Sequence, residues 1–116
     1  MKELKKYMDR ANASFIRDNN CKSPIGVSAF SKRKRIQYNN ALQGYYDWIV
    51  KNIVPIKEKL VPTYRYVGEW LVPHEVAYKE EYYNFYLFGI WDEETEEYLP
   101  DDLVIFEAAR LGLNKV

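Results

Sequence analysis

The sequence predicts an α+β domain, in which helices pack against a twisted and mainly antiparallel sheet. Two observations lead to this fold class: four short segments have the β-branched and aromatic composition of strands, and two others carry apolar residues at helical spacing. In addition, 47% of the 116 residues are hydrophobic and 16% are aromatic, which is too apolar for a disordered chain. A chain of this length fits one domain with one modest core.

The four predicted strands form two pairs along the chain. Residues 11–18 and 25–31 are separated by the turn-forming residues 19–22, so they are predicted to form a hairpin. Residues 63–72 and 82–91 are rich in aromatic and β-branched residues and are predicted to be neighbours in the same sheet.

The two predicted helices differ in their boundary signals. Apolar residues recur at helical spacing over 40–53, and Pro55 prevents a simple continuation of that helix. The second helix is predicted over 101–112, because Pro100 suits a helix start and Gly112 suits a helix end.

Charge and cysteine content restrict the possible functions. Basic and acidic residues both number 17, so there is no general attraction for nucleic acid or anionic lipid, and phosphate binding must be local. Cys21 and His74 are the single cysteine and histidine, which excludes an internal disulfide and a His/Cys zinc cluster. No apolar run reaches the roughly 20 residues that span a bilayer. We therefore expect a soluble, cytoplasmic protein that does not enter membranes.

Glu69 is the most unusual residue of the predicted strands. The two-residue period of a strand places it on the same face as Val67 and Leu71, and a carboxylate in such a setting needs a partner. Glu69 either accepts hydrogen bonds from a ligand or helps to hold a metal, or it forms a salt bridge with a residue such as Arg65 or a lysine.

Two further segments allow a functional and a structural interpretation. The aromatic strand 85–91 can present rings to a planar base or bury them in the core. The basic run Lys32–Arg35 can meet phosphate or can form a solvated surface.

Four motifs, taken in order, relate this chain to a known family. Residues 11–15 read Ala-Asn-Ala-Ser-Phe, residues 68–74 read Gly-Glu-Trp-Leu-Val-Pro-His, and residues 85–88 read Phe-Tyr-Leu-Phe. Tyr-Leu-Pro at 98–100 is followed by Ala-Ala-Arg-Leu-Gly-Leu at 108–113. This series resembles the adenylation domain of ATP-dependent RNA ligases, a branch of the covalent nucleotidyltransferase superfamily. The most specific element is the spacing between the second and third motifs.

The resemblance implies a chemistry and a set of site residues. In that family a lysine attacks the α-phosphorus of ATP, the AMP passes to an RNA 5′-phosphate, and a 3′-hydroxyl displaces it, with Mg²⁺ as the second cofactor. By position, Glu69 matches the residue that contacts the ribose, and Phe88 matches the ring that stacks on adenine. Asn12 matches the polar residue after the nucleophile motif, and Lys32 stands where arginine is common. The resemblance thus implies a nucleotide site at these four residues.

The sequence also departs from the family pattern. The nucleophile motif Lys-x-Asp-Gly is matched by Tyr7-Met8-Asp9-Arg10, so no catalytic lysine stands at Tyr7. Gly89 replaces the acidic residue that usually follows the stacking ring, and the later Glu-Gly and Lys-x-Lys motifs do not follow. We therefore expect residues 1–116 to be a single partial adenylation domain, a pseudoenzyme that descends from a nucleic-acid repair ligase. We expect it to bind at most an adenine nucleotide and not to adenylylate itself alone.

Two other functions remain open at this point. The chain is a non-catalytic module that binds a nucleotide or an RNA end, or it is an interaction protein. In the second case a further copy or a partner chain covers the exposed sheet. A further possibility is that another polypeptide carries the missing motifs.

Overall fold

The computed structural model describes residues 8–20, 22–31, 34–35, 44–73 and 84–115. Seven strands lie in these ranges: β1 (Met8–Arg17), β2 (Val27–Ser31), β3 (Lys34–Arg35), β4 (Tyr64–Pro73), β5 (Asn84–Asp92), β6 (Glu97–Tyr98) and β7 (Asn114–Lys115). The helices are α1 (Tyr45–Trp48), a π-helical turn (Ile49–Ile53), a 3₁₀ segment (Val54–Lys59) and α2 (Asp101–Leu111).

All seven strands belong to one sheet with the order β3-β2-β1-β4-β5-β6, and β7 pairs with β5. Every pairing is antiparallel except the one between β5 and β7. The predicted hairpin of β1 and β2 and the predicted pairing of β4 with β5 are confirmed. With helices on one side, the predicted α+β fold class is confirmed as well.

One face of the sheet carries the hydrophobic core. Alternate residues of the strands point toward the helices, as the two-residue period of a strand requires. The largest rings of the core are fully buried or nearly so: Phe15, Tyr45, Tyr66, Trp70 and Phe85. They pack against each other with ring centroids 5.2 to 6.1 Å apart, a spacing at which aromatic pairs attract. These rings therefore form one contiguous aromatic cluster within the core. We call the opposite side of the sheet the open face.

The first helical region continues past Pro55. The sequence places its end at residue 53, where the π-helical turn does end, but the 3₁₀ segment follows directly. Proline is tolerated there because it occupies the first turn of that segment, where its missing N–H is not needed. Residues 40–43 of the predicted helix lie outside the described residues.

Helix α2 begins and ends where the sequence predicts. Pro100 is the N-cap, and Gly112 ends the helix with φ 72°, a left-handed conformation that glycine adopts without steric cost. Leu113 N–H donates to the Ala108 carbonyl oxygen over 2.8 Å, which satisfies one of the last carbonyls of the helix.

A buried polar network fixes α2 to the sheet. The Tyr66 hydroxyl donates to Glu107 Oε1 over 3.1 Å and accepts from the Val61 N–H over 3.2 Å. The Arg110 guanidinium donates to both Glu107 oxygens over 2.7 Å and to the Lys59 carbonyl oxygen over 2.6 Å. Hydrogen bonds from Arg110 lower the pKa of Glu107, so this carboxylate stays charged although it is only 6% exposed.

Candidate functional site

Two of the sequence-predicted site residues meet on the open face of the sheet. Asn12 of β1 lies directly opposite Glu69 of β4, and Glu69 lies directly opposite Tyr86 of β5. Because directly opposed residues have Cβ atoms about 5 Å apart, the three side chains form one cross-strand row. Asn12 is exposed, and Glu69 and Tyr86 are partly buried. The row is a line of polar groups that a ligand on this face can reach.

Glu69 lies on the face that its spacing predicts. Its neighbours Gly68 and Trp70 point into the core and are buried, whereas Glu69 and Val67 are half-buried on the open face. Arg65, which the sequence suggests as a salt-bridge partner for Glu69, instead contacts Glu93 over 2.6 Å.

Phe88 lies beside the row at an irregularity in β5. The pairing of β4 with β5 shifts between Val67 and Gly68, so that Phe88 is the extra residue of a β-bulge. The residue is 47% exposed. It lines an open groove of about 390 Å³ together with Gly89, Tyr98 and Leu99 and with Asp101 and Val104 of α2, so its ring borders the helix as well as the row. An exposed phenyl ring at a bulge is available for stacking on a planar ligand.

Gly68 makes the bulge possible. A Cβ atom at this position would collide with the carbonyl oxygen of Tyr86 and would lie 2.7 Å from Phe85 Cζ. The glycine that precedes Glu69 in the motif therefore allows β5 to approach β4 closely next to the bulge.

The remaining sequence-predicted positions lie outside the described residues. Tyr7, at the position of the nucleophile, and Lys32, at the position of the family arginine, belong to this group. Cys21 and His74 belong to it too.

The open face carries a second polar cluster that the sequence analysis missed. The guanidinium carbons of Arg65 and Arg35 lie 4.4 and 5.1 Å from the centroid of the Phe30 ring, within the range of a cation–π contact. We call these three residues the arginine cluster. Arg35 belongs to the basic run that the sequence does reveal, but only the strand register brings Arg65 to the same ring.

The described residues contain no group of three His, Cys, Asp or Glu side chains that could hold a metal ion. Glu69 is the carboxylate of the row, and Mg²⁺ often binds through one or two carboxylates together with substrate phosphates. Within the same part of the chain, no helix is both long enough and apolar enough to cross a bilayer.

The chain matches one family of known proteins. The model of a family described as RNA ligase matches residues 7–116, nearly the whole chain. The search of curated proteins finds no match.

Proposed function

We propose, because the chain belongs to the RNA ligase family, that it binds an adenine nucleotide on the open face of its sheet without forming a covalent enzyme–AMP intermediate on its own. The site consists of Asn12, Glu69 and Phe88, with Lys32 as a further basic residue. The domain then recognises RNA ends in a nucleotide-dependent way and does not join them by itself.

The observation that carries this proposal is the register of β1 with β4. It places Asn12 directly opposite Glu69, although the two motifs are far apart in the sequence. An amide and a carboxylate side by side offer a donor and acceptors to the hydroxyl groups of a ribose.

Phe88 supports the binding of a base. Its exposed ring lies on β5, the strand that pairs with Glu69 through Tyr86. Stacking of a base on an aromatic side chain is worth about 1–3 kcal/mol, which is enough to decide whether a weak nucleotide site is occupied.

The absence of self-adenylylation follows from Tyr7. Formation of a lysyl–AMP bond requires an amine, and the nucleophile position holds the phenol of a tyrosine. In subtilisin, loss of the nucleophile alone lowers the rate by about a millionfold. Mg²⁺, when bound with ATP, would offset charge on the phosphates, and the residues of this chain would hold the nucleoside.

The test of nucleotide binding is a thermal melt with and without ATP and Mg²⁺. A ligand at 100 times its Kd stabilises the native state by about 2.7 kcal/mol, so we expect an upward shift of several degrees. Phe88→Ala and Glu69→Gln should each reduce the shift. Phe106→Ala is the matched control, because Phe106 is a 61% exposed phenylalanine on α2 and should leave the shift unchanged. An unshifted melt of the wild-type chain contradicts the proposal.

The test of self-adenylylation is intact mass spectrometry after incubation with ATP and Mg²⁺. We expect no increase by the mass of one AMP. An AMP adduct that disappears in Lys5→Ala or Lys6→Ala would show that a neighbouring lysine replaces the missing nucleophile.

A protein-interaction function is the second candidate, and exposed apolar residues favour it. Leu103, Ile105 and Phe106 on α2 are 43, 51 and 61% exposed, and exposed apolar surface of this kind promotes association. In this case light scattering at high concentration should detect a dimer or a larger assembly that Phe106→Ser weakens. A monomer at all concentrations would rule out self-association.

A further inference from the structure

The arginine cluster brings two like charges to one aromatic ring. Arg35 and Phe30 are directly opposite each other in the pairing of β2 with β3, and Arg65 reaches the same ring from β4. Since the guanidinium carbons lie 4.4 and 5.1 Å from one centroid, their separation is at most about 10 Å, comparable to the Debye length of ~8 Å at physiological ionic strength. Two cations held this close are stabilised by an anion between or above them.

A buried hydroxyl group lies beside each arginine. Arg35 Nη1 donates to Ser28 Oγ over 2.5 Å, and Arg65 Nη1 lies 3.5 Å from Ser14 Oγ. Both serines are at least 95% buried. Ser28 thus positions Arg35, and Glu93 Oε1, 2.6 Å from Arg65 Nε, positions Arg65. Side chains that are already positioned lose less entropy when a ligand binds.

Each arginine has one carboxylate nearby. Glu93 Oε1 accepts from Arg65 Nε over 2.6 Å. The Asp18 carboxylate accepts hydrogen bonds from the backbone N–H groups of Asn20 and Ser23. It also interacts electrostatically with the positive charge of Arg35. Among the described residues, Ser28 is the sole hydrogen-bond acceptor of Arg35. Since a guanidinium has five N–H donors, Arg35 retains donors for a ligand.

The cluster is separate from the candidate nucleotide row. Arg65 and Glu69 lie on the same face of β4, four residues apart, which corresponds to about 13 Å at roughly 3.3 Å per residue. Substitutions in one place therefore leave the contacts of the other intact.

We propose that Arg35 and Arg65, with Phe30 between them, form a subsite for a phosphate group of a single-stranded RNA. The planar fork of arginine matches the geometry of phosphate oxygens, and Phe30 keeps the two forks on one side of the sheet. The assignment of this phosphate to RNA rests on the proposed function. The cluster gives the electrically neutral chain a local site for an anion on the face that carries Asn12 and Glu69.

The test is the salt dependence of binding to a fluorescent single-stranded RNA oligonucleotide, measured by anisotropy without ATP. Each phosphate contact contributes about −0.7 to the slope of log K against log salt for single strands. We expect Arg35→Gln and Arg65→Gln each to reduce the magnitude of the slope by about 0.7. Each should weaken binding about tenfold at low salt, since hydrogen bonds between charged groups are the strong ones.

Lys51→Gln is the matched control. It makes the same change in net charge at an exposed position of the π-helical turn, on the covered side of the sheet, and should leave the slope unchanged. Glu93→Gln removes the carboxylate that competes for Arg65, so it should strengthen RNA binding. That variant keeps the test decisive if Arg65→Gln proves too unstable, and a melt of each variant establishes which ones are folded.

The outcomes separate this inference from the proposed function. Wild-type protein that does not bind RNA, or arginine variants that behave like Lys51→Gln, would overturn the phosphate subsite even if ATP still shifts the melt. If ATP does not shift the melt of the wild-type protein but the arginine variants reduce the RNA salt slope as expected, the nucleotide proposal is overturned and the subsite stands.

Oligonucleotides with a 5′-phosphate and with a 5′-hydroxyl distinguish a terminal from a backbone phosphate, and either result supports the subsite. Binding of inorganic phosphate without RNA binding contradicts the assignment to RNA.

Discussion

Replacing Tyr66 by phenylalanine tests whether the buried network holds α2 and the 3₁₀ segment on the sheet. The change removes only the hydroxyl, which is hydrogen-bonded to Glu107 and to the Val61 N–H. A neutral hydrogen bond contributes about 0.5–1.5 kcal/mol and one to a charged group about 1.5–3 kcal/mol. The expected loss in the free energy of unfolding is therefore about 2–4 kcal/mol, or roughly 8–16 °C in Tm at about 4 °C per kcal/mol.

Urea and thermal denaturation followed by circular dichroism would measure this loss. Tyr64→Phe is the matched control, because Tyr64 is a partly buried tyrosine two residues away whose ring packs near Tyr66 at 6.2 Å. We expect it to change the free energy of unfolding by less than about 0.5 kcal/mol, as is usual away from such networks. Equal stability of the two variants would refute the reasoning, since it would mean that the hydroxyl of Tyr66 adds nothing to the fold.

Two further predictions concern stability. In the folded state the pKa of Glu107 lies below its ordinary value of 4.5, so its contribution to stability is fully present above pH 4.5 and is lost as pH falls through the folded pKa. Melts at a series of pH values should show that Glu107→Gln reduces the loss of stability in acid, and an unchanged loss would contradict the role of Glu107. Gly68→Ala should destabilise the fold by about 1–3 kcal/mol through overpacking, as measured by urea denaturation. Gly89→Ala should have a small effect, because among the described residues its Cβ would meet the Tyr98 ring at an ordinary 3.5 Å. Equal effects of the two substitutions would argue against the close approach at Gly68.

The fold class was predictable because its signals are local. Strand composition, helical spacing and the Gly112 stop each depend on a few neighbouring residues, and the structure confirms them. The continuation of the first helical region through Pro55 was harder to predict. A proline forbids the interior of a helix but suits a first turn, and the sequence does not reveal where one helical segment gives way to the next.

The candidate site was predictable only in part. The face of Glu69 follows from the two-residue period of a strand, and the structure places it on that face. The roles of Asn12, Lys32, Glu69 and Phe88 come from resemblance to the family and stay predictions. The arginine cluster was not predictable, because the sequence does not show which residues of β2 and β3 lie beside Arg65 in the sheet.

By itself the sequence determined the period of each strand and helix, the motif pair that matches the RNA ligase family, and the tyrosine at the nucleophile position. The tertiary structure alone decided that Asn12 faces Glu69, that Phe88 lies at a bulge, and that Arg35 and Arg65 share the ring of Phe30. The physical reason is that alternation along a strand selects the face of a side chain, whereas its neighbours on that face depend on register, which is set by hydrogen bonding and packing across the whole sheet.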